Sequence, residues 1–281
     1  MNYRHVYHAG GLADVFKHAI LVAVIERLRE KAAPFFYLDT HAGLGRYDLT
    51  AAEAQETGEY RGGIGRLLRI ASEEPALARY LALERGANLD PQQPDIYLGS
   101  PALVRALARA NDRLALCELH PEDVDKLRRQ YRLDRQIGVH HRDGYGALAA
   151  FLPPKERRGL VFIDPSFEER DELPKLLEAL QRAYKRWPGG TYMLWYPIKQ
   201  RGLIRRFHDG LIGTGIRKIL VAEFLFEAAD HPEKLNGSGL VIVNPPYEVE
   251  YEIGSVLTAL KRLLAPAARV KVEWLVPEEA A

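Results

Sequence analysis

Asp164-Pro165-Ser166-Phe167 puts a carboxylate, a proline carbonyl and an aromatic ring into four consecutive residues. A planar base bearing an exocyclic amine is matched by that set. Asp164 can accept one hydrogen of the amine, the Asp164 or Pro165 carbonyl can accept the other, and Phe167 can stack on the ring. Two acceptors on one amine draw its lone pair out of conjugation and toward a methyl donor. An Asp-Pro step is also a common turn, so the motif alone decides nothing. A rival string, Asn244-Pro245-Pro246-Tyr247, matches an Asn/Asp-Pro-Pro-aromatic pattern more closely. Three further side chains have the chemistry of a nucleotide pocket. Glu118 ends an apolar run, where a carboxylate can accept from two ribose hydroxyls and would be costly without a ligand. Asp143 precedes Gly144, where it can accept from a nucleotide amine or simply make an Asp-Gly turn. Ser100 before Pro101 reads as a helix N-cap, a place that also suits an anionic group. His5, His8 and His18 cluster near the N-terminus but lack i, i+4 spacing and an acidic or cysteine partner, so no metal is expected.

These residues need a scaffold that gathers strand ends. Pro34 to Thr40, Leu114 to Leu119, Ile137 to His141, Leu160 to Ile163 and Thr191 to Pro197 are apolar, β-rich runs. Helical patterns lie between them, as between Pro121 and Tyr131. Strands alternating with helices predict a parallel sheet whose carboxyl ends share the ligand-binding edge. Ile219 to Phe226 and Gly239 to Asn244 follow as a strand pair joined by a loop. The last strand then returns antiparallel and carries Asn244 to the opposite edge, which favours Asp164. The expected fold class is α/β, a mostly parallel seven-stranded sheet with an antiparallel last strand. His41-Ala42-Gly43-Leu44-Gly45 after the first strand lacks the third glycine of a dinucleotide fingerprint. It fits an S-adenosylmethionine (SAM) turn better than an NAD turn. Leu12 to Lys31 has the apolar spacing of an amphipathic helix. Residues 48–98 break the strand-helix rhythm and read as an inserted helical subdomain, with helical runs at Ile64 to Ala71 and Ala76 to Leu83 and a closing Pro-rich loop, Asp90 to Pro94. Residues 1–33 form an N-terminal motif and helix, within one domain spanning 1–281.

Composition sets the outer bounds. The 281 residues are 47% hydrophobic and 27% charged, an ordinary globular balance. No apolar run reaches membrane-spanning length and no signal-peptide core is visible, so a cytoplasmic protein is expected. The single cysteine, Cys117, lies in an apolar run and reads as core. The formal net charge is +1, so any nucleic-acid surface must be a local patch. Arg182, Lys185 and Arg186 on one helix, and Lys199, Arg201, Arg205 and Arg206 after the fifth strand, are candidate phosphate contacts, although solvated charged faces look the same.

Several long strings add a resemblance. Tyr3-Arg4-His5-x-Tyr7-His8-Ala9-Gly10, Ala13-Asp14-Val15-x-Lys17-His18, and Leu38-Asp39-Thr40-His41-Ala42-Gly43-x-Gly45-Arg46-Tyr47 lead it. Gly99-Ser100-Pro101, Glu118-Leu119-His120-Pro121, Leu194-Trp195-Tyr196-Pro197 and Gly215-Ile216-Arg217-Lys218 extend it over the whole chain. In these the sequence resembles the RlmJ family of bacterial 23S ribosomal RNA adenine-N6 methyltransferases. The resemblance implies a Rossmann-like, SAM-dependent methyltransferase fold with an N-terminal motif and a helical insertion. It implies SAM contacts at His18, His41, Ser100, Glu118, Asp143, Gly144 and Asp164, with S-adenosylhomocysteine as product and no metal. It makes Asp164 the catalytic residue and Tyr3 an RNA-side contact, in a monomer acting on 23S rRNA. His5 and Lys17 join Tyr3 as expected grips on the RNA over the pocket, with Pro165 and Phe167 as base contacts. The family's usual motif is Asp-Pro-Pro-Tyr; Ser166 here leaves the turn without a second locked φ, and Phe167 keeps the stacking face without the hydroxyl. A DNA adenine methyltransferase and a catalytically silent RNA-binding module stay open beside this reading.

Overall fold

Runs rich in β-branched and aromatic residues, bounded by Gly, Pro and Asp, fold as strands, and the segments between them fold as helices. The computed structural model describes residues 4–169, 171–226 and 234–278. Along the chain come α1 (Leu12–Arg29), β1 (Phe36–Asp39), β2 (Arg46–Asp48), α2 (Ala52–Thr57), α3 (Ile64–Leu67), α4 (Pro75–Gly86) and β3 (Ile96–Leu98). Next are α5 (Ser100–Leu107), β4 (Arg113–Glu118), α6 (Pro121–Tyr131), β5 (Ile137–His141), α7 (Gly144–Phe151), β6 (Gly159–Ile163) and α8 (Glu172–Arg186). The rest is β7 (Thr191–Ile198), α9 (Arg201–Gly213), β8 (Ile219–Leu225), β9 (Gly237–Val243), α10 (Val249–Leu264) and β10 (Arg269–Val276).

The main sheet has the order β10-β8-β9-β7-β6-β1-β4-β5. From β7 to β5 every pairing is parallel, and β9 runs antiparallel to both β7 and β8. The mixed α/β class and the antiparallel return therefore stand as expected. The sheet gains an eighth strand, β10, antiparallel to β8 at the edge. The chain leaves β1 toward β4 on one side and comes back to β6 on the other, so the strand order reverses at β1. A crevice opens at such a reversal, outside the carboxyl ends. Asp39 ends β1 in register with Phe162 of β6, which brings Thr40 and His41 beside Asp164.

One difference concerns α1. Its apolar spacing predicts an amphipathic helix, but every residue from Asp14 to Ile25 is buried. α4, α5 and α10 pack around it on one face of the sheet. Burying each Val, Leu, Ile or Phe contributes roughly 1.5–3 kcal/mol, so α1 is a central core element. Three polar side chains, Asp14, Lys17 and His18, are carried inside with it. The opposite face of the sheet is covered by α7, α8 and α9.

The segment 48–98 carries α2, α3 and α4, and its ends are tied by β2 and β3, which pair antiparallel with Tyr47 opposite Tyr97. Ser100 departs from its expected place. Gly99 holds the N-cap position of α5, Ser100 is already helical, and its hydroxyl makes no cap bond.

Candidate active site

A cleft of about 830 Å³ lies over the carboxyl ends of β1, β4, β5 and β6, walled by the start of α1 and by β7. His5, Lys17, His18, His41, Ser100, Glu118, Asp143, Gly144, Asp164, Pro165 and Phe167 all line it. Tyr3 lies outside the described residues. Asn244 lies at the opposite edge of the sheet, away from the cleft. β9 delivers it to the amino-terminal edge of β7, where its Nδ2 donates to the Pro188 and Gly190 carbonyls at 2.8 and 2.9 Å. Its left-handed φ of 49° and those bonds make it a turn closure. α8 likewise runs back from the cleft, so Arg182, Lys185 and Arg186 sit at the far edge. Arg182 pairs there with Glu178, and Arg186 donates to the Leu152 carbonyl.

The base-side geometry is built around a buried ammonium. Lys17 Nζ lies 2.7 Å from Asp14 Oδ1 and 2.7 Å from Asp164 Oδ2, with its side chain only 4% exposed. It also sits 5.3 Å from the centre of the Trp195 ring. Asp14 accepts from Gly10 N–H at 2.9 Å and meets His5 Nε2 at 3.0 Å. Burial alone would raise the Asp14 carboxyl, but the His5 and Lys17 charges hold it well below the usual range. Lys17 thus engages carboxylates inside the cleft, whereas the sequence suggests a grip on RNA. Phe167 is placed edge-on to Trp195, ring centres 5.6 Å apart. Its φ of 53° lies in the left-handed region, which costs a bulky residue about 1–2 kcal/mol.

The other half of the cleft is a set of fixed acceptors. Glu118, 8% exposed, accepts from Gly43 N–H at 2.8 Å through Oε2 and from His120 N–H at 2.7 Å through Oε1. Burial raises its carboxyl, while those two N–H groups favour the ionised form. Each oxygen is held in place with lone-pair capacity left over, the arrangement a vicinal diol needs. Gly43 has φ 59°, and a Cβ there would fall 2.2 Å from Tyr47 Oη. At Gly144 a Cβ would fall 2.5 Å from the Thr40 carbonyl and 2.7 Å from His41, so only glycine fits under that wall. Asp143 caps α7 through Gly146 N–H at 2.6 Å. Ser100 Oγ and Tyr37 Oη both donate to Asp39 Oδ2 at 2.7 Å. Burial pushes the Asp39 carboxyl up to about 6. With its proton so used, Ser100 offers only lone pairs to a ligand, which suits an ammonium and not the anion that a helix start suggests. His18 pairs with Tyr97 Oη at 2.6 Å. Burial, helped by the Lys17 charge, pushes His18 down to about 3, and burial pushes His41 down to about 4. Both imidazoles are neutral at ordinary pH.

The donor set fits SAM: a clamped carboxylate for the ribose, a glycine-lined wall and acceptors for an ammonium. Among the described residues no cluster of three His, Cys, Asp or Glu could hold a metal. Cys117 is buried, and burial pushes its thiol up to about 12. No helix of the described residues is long and apolar enough to cross a membrane. Sequence reasoning missed Asp14, Asp39 and Trp195 as parts of the site. Asp14 and Asp39 carried a signal, since each is a carboxylate inside an apolar stretch, which needs a partner.

Comparisons with known proteins point the same way. A model of the family described as "Ribosomal RNA large subunit methyltransferase D, RlmJ" matches residues 32–276. The chain is 40% identical over 280 residues to "Ribosomal RNA large subunit methyltransferase J" of Haemophilus influenzae, covering 99% of this chain and 100% of that one. The protein of the same description from Escherichia coli K12 matches to the same extent. The crystal structure of protein LPL1258 from Legionella pneumophila is similar with a TM-score of 0.87 at 34% identity, over 95% of this chain and 98% of that one.

Proposed function

Because the chain belongs to the RlmJ family of ribosomal RNA large subunit methyltransferases, we propose that it methylates N6 of a specific adenine in 23S rRNA with SAM as donor. The observation that carries this reading is Asp164 at the strand-order reversal. One of its oxygens is committed to a buried ammonium, and Pro165 and Phe167 follow beside it.

In this reading Glu118 receives the ribose hydroxyls, Asp143 the adenine amine of SAM, and Ser100, held by Asp39 behind it, the methionine ammonium. His18, His41 and Gly144 shape the wall against the cofactor. SAM supplies an electrophilic methyl on a sulfonium; the new N–C bond forms as the S–C bond breaks, leaving S-adenosylhomocysteine. The chain's own residues do the rest by orientation. Lys17 occupies Asp164 Oδ2, which leaves Oδ1 to accept one N6 hydrogen. The Pro165 carbonyl accepts the other. The amine is turned out of conjugation, and its lone pair faces the methyl. A strong base is unnecessary, because N6 becomes acidic once alkylated, and the proton held by Asp164 Oδ1 passes through that oxygen to water. Phe167 stacks on the target base, which must leave its helix to arrive, so a loop or hairpin end is the expected substrate. His5, which lines the cleft, meets the target at its entrance. The same reading makes the protein a cytoplasmic monomer that needs no metal.

The test is incubation with labelled SAM and unmodified 23S rRNA, with Asp164→Ala alongside and a matched DNA strand in competition. Label on adenine N6 from wild type alone is expected. Label from both proteins would move the chemistry away from Asp164. Preference for DNA, or tight SAM binding without turnover on either strand, would replace the reading with a DNA enzyme or a silent binder.

A further inference from the structure

The cleft has a charge that a polyanion dislikes. Among the described residues eight carboxylic side chains and three lysines line it, with no arginine. One of those lysines, Lys17, is already engaged by two carboxylates. That balance suits a cationic cofactor and a neutral base. Lys175 is held by Glu169 and Asp171, so among the lining lysines Lys199 alone has no ion pair among the described residues, and the cleft offers little to the phosphodiesters on either side of the target nucleotide, although phosphate contacts supply most of the affinity of an RNA-binding surface.

A second groove, about 400 Å³, has the opposite character. Thr50, Gln55, Tyr60, Arg61, Arg69 and Gln93 supply its polar and aromatic lining, and no carboxylate does. Neither arginine forms an ion pair among the described residues. Arg61 lies 5.5 Å from the Tyr60 ring centre, and its Nη2 donates to Gln55 Oε1 at 2.6 Å. Gln55 Nε2 in turn donates to Tyr60 Oη at 2.9 Å. Arg69 donates through Nε and Nη2 to the Gln92 carbonyl at 3.2 and 3.0 Å, which fixes the Asp90 to Pro94 loop along one side. Gln55 is spent on Leu49, Tyr60 and Arg61, but two guanidinium groups keep donors for phosphate oxygens, the Gln93 amide offers a base-edge contact, and a phenol ring offers a stacking surface.

The two cavities share one wall. Within the turn Glu59–Arg61, Glu59 lines the acidic cleft while Tyr60 and Arg61 line the groove. Glu59 binds His8 Nδ1 at 2.7 Å, and Thr57 donates to the Tyr7 carbonyl, so the insertion is locked to the N-terminal arm at the cleft's entrance. A strand leaving the cleft over this turn meets the arginines next.

We propose that this groove of the inserted subdomain is a docking subsite for a single-stranded stretch of the substrate RNA flanking the target adenine, with phosphates on Arg61 and Arg69 and a base against Tyr60 and Gln93. The inference rests on the reading of the protein as an RNA methyltransferase. It gives the insertion a job separate from catalysis: it adds phosphate contacts of which the acidic cleft has few.

The experiment compares wild type with the Arg61→Gln/Arg69→Gln double variant on two transcripts, one limited to the target stem-loop and one with single-stranded flanks. SAM affinity and the melting curve of each protein are read in parallel. Wild type should prefer the flanked transcript. The double variant should lose that preference, with KM on the flanked RNA up about tenfold, kcat within about twofold, and the salt slope of binding lower by about 2. Its SAM affinity and turnover on the short stem-loop should match wild type. Equal KM and equal salt slope for the two proteins on flanked RNA would overturn the proposal, as would a fall in kcat on both transcripts with KM unchanged. Tyr60→Ala, which keeps both charges, should weaken flanked RNA without moving the salt slope. If wild type itself methylates neither transcript, the parent reading fails and not the groove alone.

Discussion

Lys17→Met keeps the length and the apolar stem of the side chain and deletes its charge. In the folded protein that charge lies 2.7 Å from each of two carboxylate oxygens, and the side chain is 4% exposed. Removing one partner of a buried ion pair costs about 3–5 kcal/mol, because the other charge is left without compensation. Two features pull the value to the lower end. Asp14 retains Gly10 N–H and His5. Asp164 is 14% exposed and can recruit water. A loss of about 3 kcal/mol, set against an unfolding entropy of about 0.6 kcal/mol per kelvin for 281 residues, lowers the melting temperature by about 5 °C.

The same variant separates two roles by its kinetics and its pH dependence. If the ammonium positions Asp164, kcat falls about a hundredfold while KM for RNA moves little. Asp14 sharpens the test. Its carboxyl is held low, so its contribution to stability is present above the unfolded carboxyl pKa of about 3.9 and is lost as pH falls through the folded value. Without Lys17 the folded value rises, so acid unfolding begins at a higher pH. Melting curves from pH 3 to 7 and initial rates on 23S rRNA read both effects. A higher KM for RNA with kcat and melting temperature unchanged would place Lys17 on the RNA, as the sequence suggests, and would refute the argument from burial.

Other outcomes follow from single contacts. Asn244→Ala removes two hydrogen bonds to backbone carbonyls at the far edge of the sheet, so it costs about 1–2 kcal/mol in unfolding experiments and leaves kcat at the wild-type value. Glu118→Gln loses one of two backbone N–H contacts and the charge that the proposed function aims at the ribose, so the SAM dissociation constant measured by calorimetry should rise at least about tenfold with little change in melting temperature. His18 and His41 fold neutral, with values near 3 and 4, while unfolded imidazoles titrate near 6.5. Their contribution is complete above about pH 6.5 and is lost as pH falls toward those values, so melting temperature declines through that window and His18→Gln flattens the decline.

The alternation of strands and helices was legible because parallel strands buried on both faces are continuous apolar runs. That pattern places Asp164 and Asn244 at opposite edges of the sheet, since a returning strand must end at the other edge. β10 was missed for a physical reason. Arg269, Lys271 and Glu273 alternate with Val270, Val272 and Trp274 on an edge strand, a pattern that also suits a surface tail. β2 and β3 are three residues each, too short for any period to show. Ser100 looked like a cap because Ser-Pro usually is one; the use of its hydroxyl depends on Asp39, sixty-one residues away. The link from Lys17 to Asp164 spans a still longer stretch, and no local pattern encodes it. The positive φ of Phe167 is invisible because glycine, the usual signal, is absent.

Three costly features meet where β6 ends: an ammonium removed from water, a carboxylate that must balance it, and an aromatic residue in a left-handed conformation. Each is unfavourable for folding when taken alone. A chain that only needed to close a strand could use an ordinary turn, as Asn244 does with backbone bonds at the opposite edge. Strain and buried charge persist where the surroundings over-determine them. Here those surroundings are α1, held on nearly every side by apolar packing, and Trp195, which touches both Lys17 and Phe167. The replacement of the usual second proline by Ser166 bears on this point. Without a ring to fix φ at residue 166, the placement of the next side chain rests more on packing, and the edge-on contact between Phe167 and Trp195 supplies that packing. Trp195→Leu should therefore loosen Phe167 in this chain, raising KM for RNA, and restoring proline at position 166 should recover part of the loss. If Ser166→Pro leaves the Trp195→Leu protein unimproved, packing and not the turn sets the ring.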